Sequence, residues 1–226
     1  MASMAVADFT VFTYDPRGRG GSTDTLPYAI EREVDDLAAL IVEAGGSACV
    51  YAVSSGGLLG LHAAAMRLAI PKLALLEPPI GSAEDRAMGR AFTAELAELV
   101  AARRREDAVD RWLTAIGVPS DSIAEMAPVR PALDAVAHTL VYDSTLCDGT
   151  SLELAASVTL PTLVISSQGS NDQLTGWAAA LDQALPNSTH RSLPGAWHGV
   201  PDDSLAPVLR EFFAPEARVG RGVRPD

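Results

Sequence analysis

The chain has 226 residues, of which 48% are hydrophobic, and this length suffices for one domain with a sizeable core. It carries 17 basic and 29 acidic residues, and a net charge of -12 argues against binding to nucleic acid or anionic lipid, both of which favour a basic surface. Two cysteines imply no disulfide framework, and no apolar run has the length of a membrane span. Residues 1–7 lack the basic and apolar segments of a signal peptide, so we expect a cytoplasmic protein.

Short apolar runs alternate with helical patterns along the chain. Strands are predicted at 9–14, 48–53, 73–77, 162–166 and 189–193. Helices are predicted at about 28–44, from 55 to about 68, and at about 205–213. The apolar runs are continuous, as in strands buried on both faces, and strand–helix–strand repetition predicts an α/β fold with a mostly parallel sheet of about five strands flanked by helices.

The pattern changes between Gly81 and about Val158, where only helical periodicity is found. We expect a single domain over 1–226, with its core at about 8–81 and 158–214 and a helical cap at about 82–157. The alternative is a separate helical subdomain that takes no part in the site. The tail at 215–226 is rich in Gly, Arg and Pro and is predicted to be disordered.

A candidate nucleophile lies where the second predicted strand meets the following helix. Ala52-Val53-Ser54-Ser55-Gly56 approximates G-x-S-x-G, the sharp turn that lifts a serine hydroxyl clear of a sheet, with Ala52 in place of the first glycine. Ser54 is then the nucleophile, and the backbone N–H of Ser55, at the helix N-terminus, is an oxyanion donor. The alternative is an ordinary helix start capped by serine.

A serine nucleophile needs a base, and the chain has four histidines. His198 follows the last predicted strand, at the sheet edge where ligands bind in open α/β folds, and is the predicted base. Trp197 beside it and His138 in the helical segment are candidate pocket residues. For His138 the alternative is a packing or surface histidine.

The base needs a carboxylate to orient it. Asp172 follows the fourth predicted strand and gives the chain order Ser54, Asp172, His198 of a known hydrolase triad. Asp172 is therefore the predicted acid, although loop aspartates also cap helices. Glu77, at the carboxyl end of the third predicted strand, is its main competitor.

Four motifs together resemble the α/β-hydrolase superfamily over about residues 8–213. They are the loop Tyr14–Ser22, which resembles Y-D-x-R-G-x-G-x-S, and the segments Leu76–Pro79, Leu160–Ile165 and Leu193–His198. The chain is most similar to small bacterial esterases and perhydrolases. The resemblance implies a carboxylesterase in which Ser54 attacks an ester carbonyl, His198 takes its proton and Asp172 holds the imidazole. It implies a small ester-like substrate and no cofactor or metal.

The chain departs from that family near its N-terminus. Family members usually have two or three strands before the Tyr14 strand, and the last of them ends in an H-G loop that supplies a second oxyanion donor. We expect the predicted 9–14 and 48–53 strands to pair directly in an N-terminally shortened sheet. Exposed strand edges offer an alternative, a homodimer. The departure also leaves open a non-hydrolytic or inactive member that binds a small ligand or partner, or that assists a biosynthetic step.

Overall fold

A computed structural model describes residues 9–118, 123 and 125–215. The predictions for residues 1–7, and for the tail from residue 216, lie outside the described residues. The described helices and strands are, in chain order, α1 (Ile30–Glu43), β1 (Val50–Val53), α2 (Ser55–Ala65), β2 (Leu73–Leu76), α3 (Ala83–Ala101), α4 (Arg105–Ala115), α5 (Arg130–Ala135), a 3₁₀ turn (Ala137–Thr139), α6 (Leu140–Gly149), α7 (Leu152–Ala156), β3 (Thr162–Ser167), α8 (Asp172–Ala184), β4 (Ser188–Leu193) and α9 (Asp202–Phe213).

The four described strands form one parallel sheet in the order β1-β2-β3-β4. Val50 pairs with Leu73, Leu73 with Thr162, and Thr162 with Ser188. Every residue of β2 and β3 is buried, as the continuous apolar runs predict. The α/β fold class with a parallel sheet flanked by helices is confirmed.

The predicted strand at 9–14 is wrong. This segment has irregular structure, and Val11 and Phe12 are exposed to 41% and 52%. Phe9 packs its ring edge-on against Phe213 of α9, with ring centroids 6.4 Å apart, and does not bring the segment to β1. The described sheet therefore has four strands rather than about five, with β1 at its edge. β-Propensity alone does not make a strand, because a strand also needs a hydrogen-bonded neighbour.

Alternate residues of β2 supply two hydrophobic clusters on opposite faces of the sheet. Leu73 and Leu75 pack with residues of α1, α2 and α8, whereas Ala74 and Leu76 pack with residues of α9. Helices cover both faces, and so the two central strands are inaccessible to water. The carboxyl ends of these strands are consequently held in a rigid framework.

The segment between β2 and β3 is helical, as expected. We call residues 83–156, which contain α3 to α7, the helical insertion. It begins at a capping box in which Ser82 and Asp85 bond each other's backbone N–H. It has a small core of its own around Val109, Leu113 and Ala137. In the described part of the chain, no helix combines the length and apolar character needed to cross a membrane.

Candidate active site

Three hydrogen bonds just beyond the strands bring the candidate site residues to one sheet edge. The backbone N–H of Ser54 donates to the carbonyl of Leu76 at 2.9 Å, and that of Glu77 to the carbonyl of Ile165 at 3.0 Å. The N–H of Gln168 donates in the same way to Leu193 at 2.9 Å. Parallel strands share a carboxyl edge, so the loops that follow β1 to β4 all open there.

Ser54 forms a sharp turn between β1 and α2. Its φ of 54° and ψ of -131° place it in a region that L-residues rarely adopt, and it is the residue before the first turn of α2. A Cβ on Gly57 would lie 3.0 Å from Cβ of Pro78, which shows how closely the helix approaches the next loop. Ser54 is half-buried, and its hydroxyl forms no hydrogen bond within the described residues. This geometry matches the strained strand-to-helix turn on which a nucleophilic serine is presented.

Glu77 contacts His198 directly. Oε2 of Glu77 lies 2.8 Å from Nδ1 of His198, and the Glu77 side chain is 0% exposed. The same carboxylate accepts from the backbone N–H of Ser167 at 2.7 Å and from the hydroxyl of Ser170 at 2.9 Å. A buried carboxylate is stable only when such donors replace its water shell. Because the carboxylate can only accept, the contact requires a proton on Nδ1, and in the neutral imidazole Nε2 is then an acceptor.

Ser167, the last residue of β3, and Ser170, in the loop that follows, support the base. The hydroxyl oxygen of Ser170 accepts from the backbone N–H of His198 at 2.9 Å. The hydroxyl of Ser167 donates to the carbonyl of Ala196 at 2.6 Å. Sequence reasoning missed both serines. Both serines lie between the predicted strand at 162–166 and Asp172, and this position was the only sign in the sequence that they could belong to the site.

Backbone strain is concentrated at the site. Five described residues other than glycine have positive φ, and three of them are Ser54 (54°), Glu77 (45°) and His198 (52°). Each such conformation costs on the order of 1–3 kcal/mol and persists only when surrounding structure fixes it. Clustering of this kind is typical of functional sites.

Asp172, the predicted acid, is not brought to His198. It is the first residue of α8, it is exposed, and its side chain forms no hydrogen bond in the described structure. Asn171 before it caps the helix by accepting from the N–H of Leu174 at 3.0 Å. Glu77 occupies the position beside Nδ1 of His198. The expected pairing of Asp172 with His198 is therefore wrong, and His198 pairs with Glu77 instead.

The two candidate pocket residues lie in different places. Trp197 is 41% exposed, and its ring centroid lies 5.5 Å from that of His198. His138 lies in the helical insertion, where Nε2 is 3.4 Å from a carboxylate oxygen of Asp24 and the ring edge meets Tyr142. Trp197 is thus next to the candidate base, whereas the contacts of His138 are with the Asp24 loop and the insertion.

Ser55, the candidate oxyanion residue, is the first residue of α2. Its backbone N–H has no acceptor among the described residues, as expected in a first helical turn. Its hydroxyl donates to Oδ1 of Asp143 in α6 at 3.0 Å. Oδ2 of that carboxylate accepts from Nη2 of Arg19 at 2.5 Å, and Nε of Arg19 donates to the Thr139 hydroxyl at 3.0 Å. Sequence reasoning did not single out Arg19 or Asp143, and only Arg19 lies in a motif.

A second buried acid lies close to this arrangement. Burial, followed by the charge of Asp143, raises the pKa of Glu33 on α1 from 4.5 to about 7, while Arg19 and Arg17 lower it. Glu33 is 7% exposed. In the described ranges, no group of three or more His, Cys, Asp or Glu side chains is arranged to hold a metal ion.

The model of the alpha/beta hydrolase family matches residues 1–211. The chain belongs to this family. An alpha/beta hydrolase from Sphaerobacter thermophilus DSM 20745 has 42% sequence identity and a TM-score of 0.79, over 89% of this chain and 80% of that one. Membership and this similarity support a hydrolase in general terms.

More distant structures share the fold alone. An esterase from Thermogutta terrifontis is 21% identical with a TM-score of 0.63, over 87% of this chain and 76% of that one. An enol-lactonase from Burkholderia xenovorans LB400 is 24% identical with a TM-score of 0.60, over 88% and 78%. Comparison with curated proteins gives no match.

Proposed function

We propose that the chain is a serine hydrolase, most simply a carboxylesterase, with Ser54 as nucleophile, His198 as base and Glu77 as the acid that orients it. The observation that carries the proposal is the 2.8 Å contact between Nδ1 of His198 and the fully buried Glu77. It fixes the tautomer in which Nε2 accepts a proton. The left-handed turn at Ser54 supports the assignment of the nucleophile.

In the proposed acylation step, Oγ of Ser54 attacks the carbonyl carbon of an ester while its proton passes to Nε2 of His198. Glu77 stabilises the imidazolium that forms and does not itself take the proton. The tetrahedral intermediate then expels the alcohol, which leaves with the proton from His198. The product is an acyl group bonded to Ser54.

The negative oxygen of the intermediate needs hydrogen-bond donors. The free backbone N–H of Ser55, at the start of α2, is suited to this because both the N–H and the helix dipole favour negative charge there. Removing one such donor from an enzyme typically lowers kcat by on the order of 10²–10³. We therefore assign Ser55 an essential part in the proposed reaction through its backbone.

Deacylation reverses these roles with water. His198 takes a proton from a water molecule as its oxygen attacks the acyl carbon, and the second intermediate collapses to release the carboxylic acid and restore the Ser54 hydroxyl. The helical insertion lies between β2 and β3, the strands that carry Glu77 and the Ser167–Ser170 loop. We propose that it acts as a cap and that Trp197 contributes apolar surface beside the base.

Fluorophosphonate labelling read by intact mass tests this function. Wild type should gain one phosphonyl adduct, Ser54→Ala none, and Glu77→Gln should label more slowly. Ser157→Ala removes an exposed hydroxyl at the end of α7 and serves as the matched control, with labelling as in wild type. Hydrolysis of nitrophenyl esters of graded acyl length would then define the acyl group.

Folded wild type that fails to label, or that labels equally well after Ser54→Ala, would contradict the hydrolase mechanism. The fold would then serve a non-hydrolytic role, such as binding a small ligand.

A further inference from the structure

We infer that Arg19 and Asp143 are a positioning pair for the oxyanion donor at Ser55, with Asp143 holding the first turn of α2 and Arg19 neutralising Asp143. The inference rests on the proposed function. It assigns a role in the reaction to the helical insertion and to the Asp15–Ser22 loop, neither of which contributes a group to the proposed triad.

The pair joins three separate parts of the chain. Ser55 begins α2, Asp143 lies in α6 of the insertion, and Arg19 lies in the glycine-rich loop before α1. The carboxylate of Asp143 accepts from Ser55 with one oxygen at 3.0 Å and from Arg19 with the other at 2.5 Å. Arg19 is itself anchored by the hydroxyl of Thr139 at 3.0 Å. Both partners are partly buried, with 32% and 16% of the Arg19 and Asp143 side chains exposed.

The placement of Asp143 has an electrostatic consequence. Its carboxylate bonds the hydroxyl of the same residue whose N–H would stabilise a developing oxyanion. An unpaired negative charge so close would repel the oxyanion, and away from bulk water this repulsion is only weakly screened. With Arg19 bound, the pair is neutral overall and Asp143 can position Ser55 without that repulsion.

Among the described residues, the nearby cation Arg17 is already bound to other groups. Arg17, in the same loop, donates from Nε to Asp36 at 2.9 Å and from Nη2 to the carbonyl of Arg32 at 2.8 Å. Glu33 is also near Asp143, and the two acids repel each other, so the positive charge of Arg19 offsets the negative potential of both. Loss of the Arg19 charge should therefore leave Asp143 uncompensated.

A double-mutant cycle on the full chain tests this directly. For p-nitrophenyl acetate hydrolysis, Arg19→Gln should lower kcat by roughly 10- to 100-fold with little change in KM. This range follows from the repulsion expected between the uncompensated Asp143 carboxylate and the oxyanion at short range. Asp143→Asn keeps an acceptor for Ser55 and removes the charge, so its loss should be smaller. The double variant should recover to the level of Asp143→Asn, and Arg19→Lys should retain most activity. A purely structural role would make the double variant at least as damaged as Arg19→Gln.

The Arg191–Glu211 pair on β4 and α9 provides the matched control. It is bidentate, at 2.8 and 2.9 Å, and lies away from the site. Arg191→Gln should leave kcat unchanged, and thermal melting of every variant reports folding separately. If Arg19→Gln fails to fold, Asp143→Asn and Asp143→Ala decide the question: Asp143→Asn keeps an acceptor for the Ser55 hydroxyl and should stay active, whereas Asp143→Ala removes that acceptor and should lose activity. Equal activity of these two variants would overturn the positioning role.

The outcomes separate this inference from the proposed function. Active wild type with an unaffected Arg19→Gln, or a double variant as impaired as Arg19→Gln, overturns the positioning pair alone. A folded wild type that neither labels nor hydrolyses esters overturns the proposed function and this inference with it.

Discussion

Glu77 holds both the ring and the backbone of His198. Its Oε2 accepts from Nδ1 of the imidazole at 2.8 Å and from the hydroxyl of Ser170 at 2.9 Å, and that hydroxyl oxygen accepts from the His198 N–H at 2.9 Å. The three contacts close a ring around one carboxylate. His198 lies on a loop and has a left-handed backbone conformation. It is held there by the side chain of Glu77, which directly follows the buried strand β2.

Glu77→Gln should therefore lower kcat by on the order of 10³–10⁴, because an amide N–H facing Nδ1 favours the wrong imidazole tautomer. Asp172→Asn is the matched comparison, since Asp172 is exposed and has no contact with His198, and its activity should stay at the wild-type level. Steady-state ester hydrolysis measures both. The reverse order of effects would return the acid role to Asp172.

Ser54→Gly should raise the free energy of unfolding by about 1 kcal/mol relative to Ser54→Ala, because glycine adopts φ of 54° without the steric cost of a Cβ. Both variants lose the hydroxyl, so the comparison isolates backbone strain. Urea denaturation measures the difference. Equal stability of the two variants would show that the turn stores no strain that glycine relieves.

Gly169→Ala should impair activity although it removes no reactive group. A Cβ there would lie 2.5 Å from the carbonyl oxygen of Gly195 and 2.8 Å from Cα of Ala196, so the loop carrying His198 has to move. Misplacement of a reactive group by about 1 Å can cost on the order of 10²-fold in rate. Gly176→Ala, in α8, is the control, because the new Cβ would meet no atom within 4 Å other than its chain neighbours and the helix's own backbone; it should stabilise the helix by about 0.5–1 kcal/mol. Normal kcat in Gly169→Ala would mean that the His198 loop adapts freely.

Glu33→Gln should stabilise the protein at high pH and not at low pH. The pKa of Glu33 is raised from 4.5 to about 7, so the folded state holds a proton that the unfolded state releases. A raised carboxyl pKa makes stability fall as pH rises from about 4.5 to about 7, and the variant escapes that loss. The gain over wild type should be absent near pH 4 and reach about 3 kcal/mol by pH 8.

Urea denaturation at both pH values measures the effect on Glu33→Gln. Glu31→Gln, on the exposed side of the same helix, is the control. A gain that is independent of pH would rule out burial of the Glu33 charge as its cause.

The central strands were predictable because burial on both faces leaves a continuous apolar run. Leu73–Leu76 and Thr162–Ser167 are completely buried and carry that signal. Phe9–Tyr14 is rich in β-branched and aromatic residues, but whether it forms a strand depends on whether another strand lies beside it. That information is not local, and the segment packs Phe9 against Phe213 instead.

The site was predictable where it depends on local sequence and not where it depends on contacts between distant parts of the chain. Ser54 and His198 lie in local motifs with a physical meaning. Glu77 and Asp172 both follow strands and could not be separated, because the choice depends on how the loop after β4 folds back over the sheet edge. Asp143 bonds Ser55 from 88 positions away along the chain, and nothing in the sequence around it marks that contact.

The order of the strands also determines how the molecule can be remodelled. β2 and β3 are neighbours, so the helical insertion leaves and rejoins the sheet at adjacent points, and Ser54, Glu77 and His198 all lie outside it. Chimeras that exchange residues 83–156 for helices from another family member should keep the proposed triad intact. Such a graft needs to preserve two side chains that bind Arg19, the carboxylate of Asp143 and the hydroxyl of Thr139. Libraries for new acyl specificity can therefore vary the insertion broadly while holding those two positions constant.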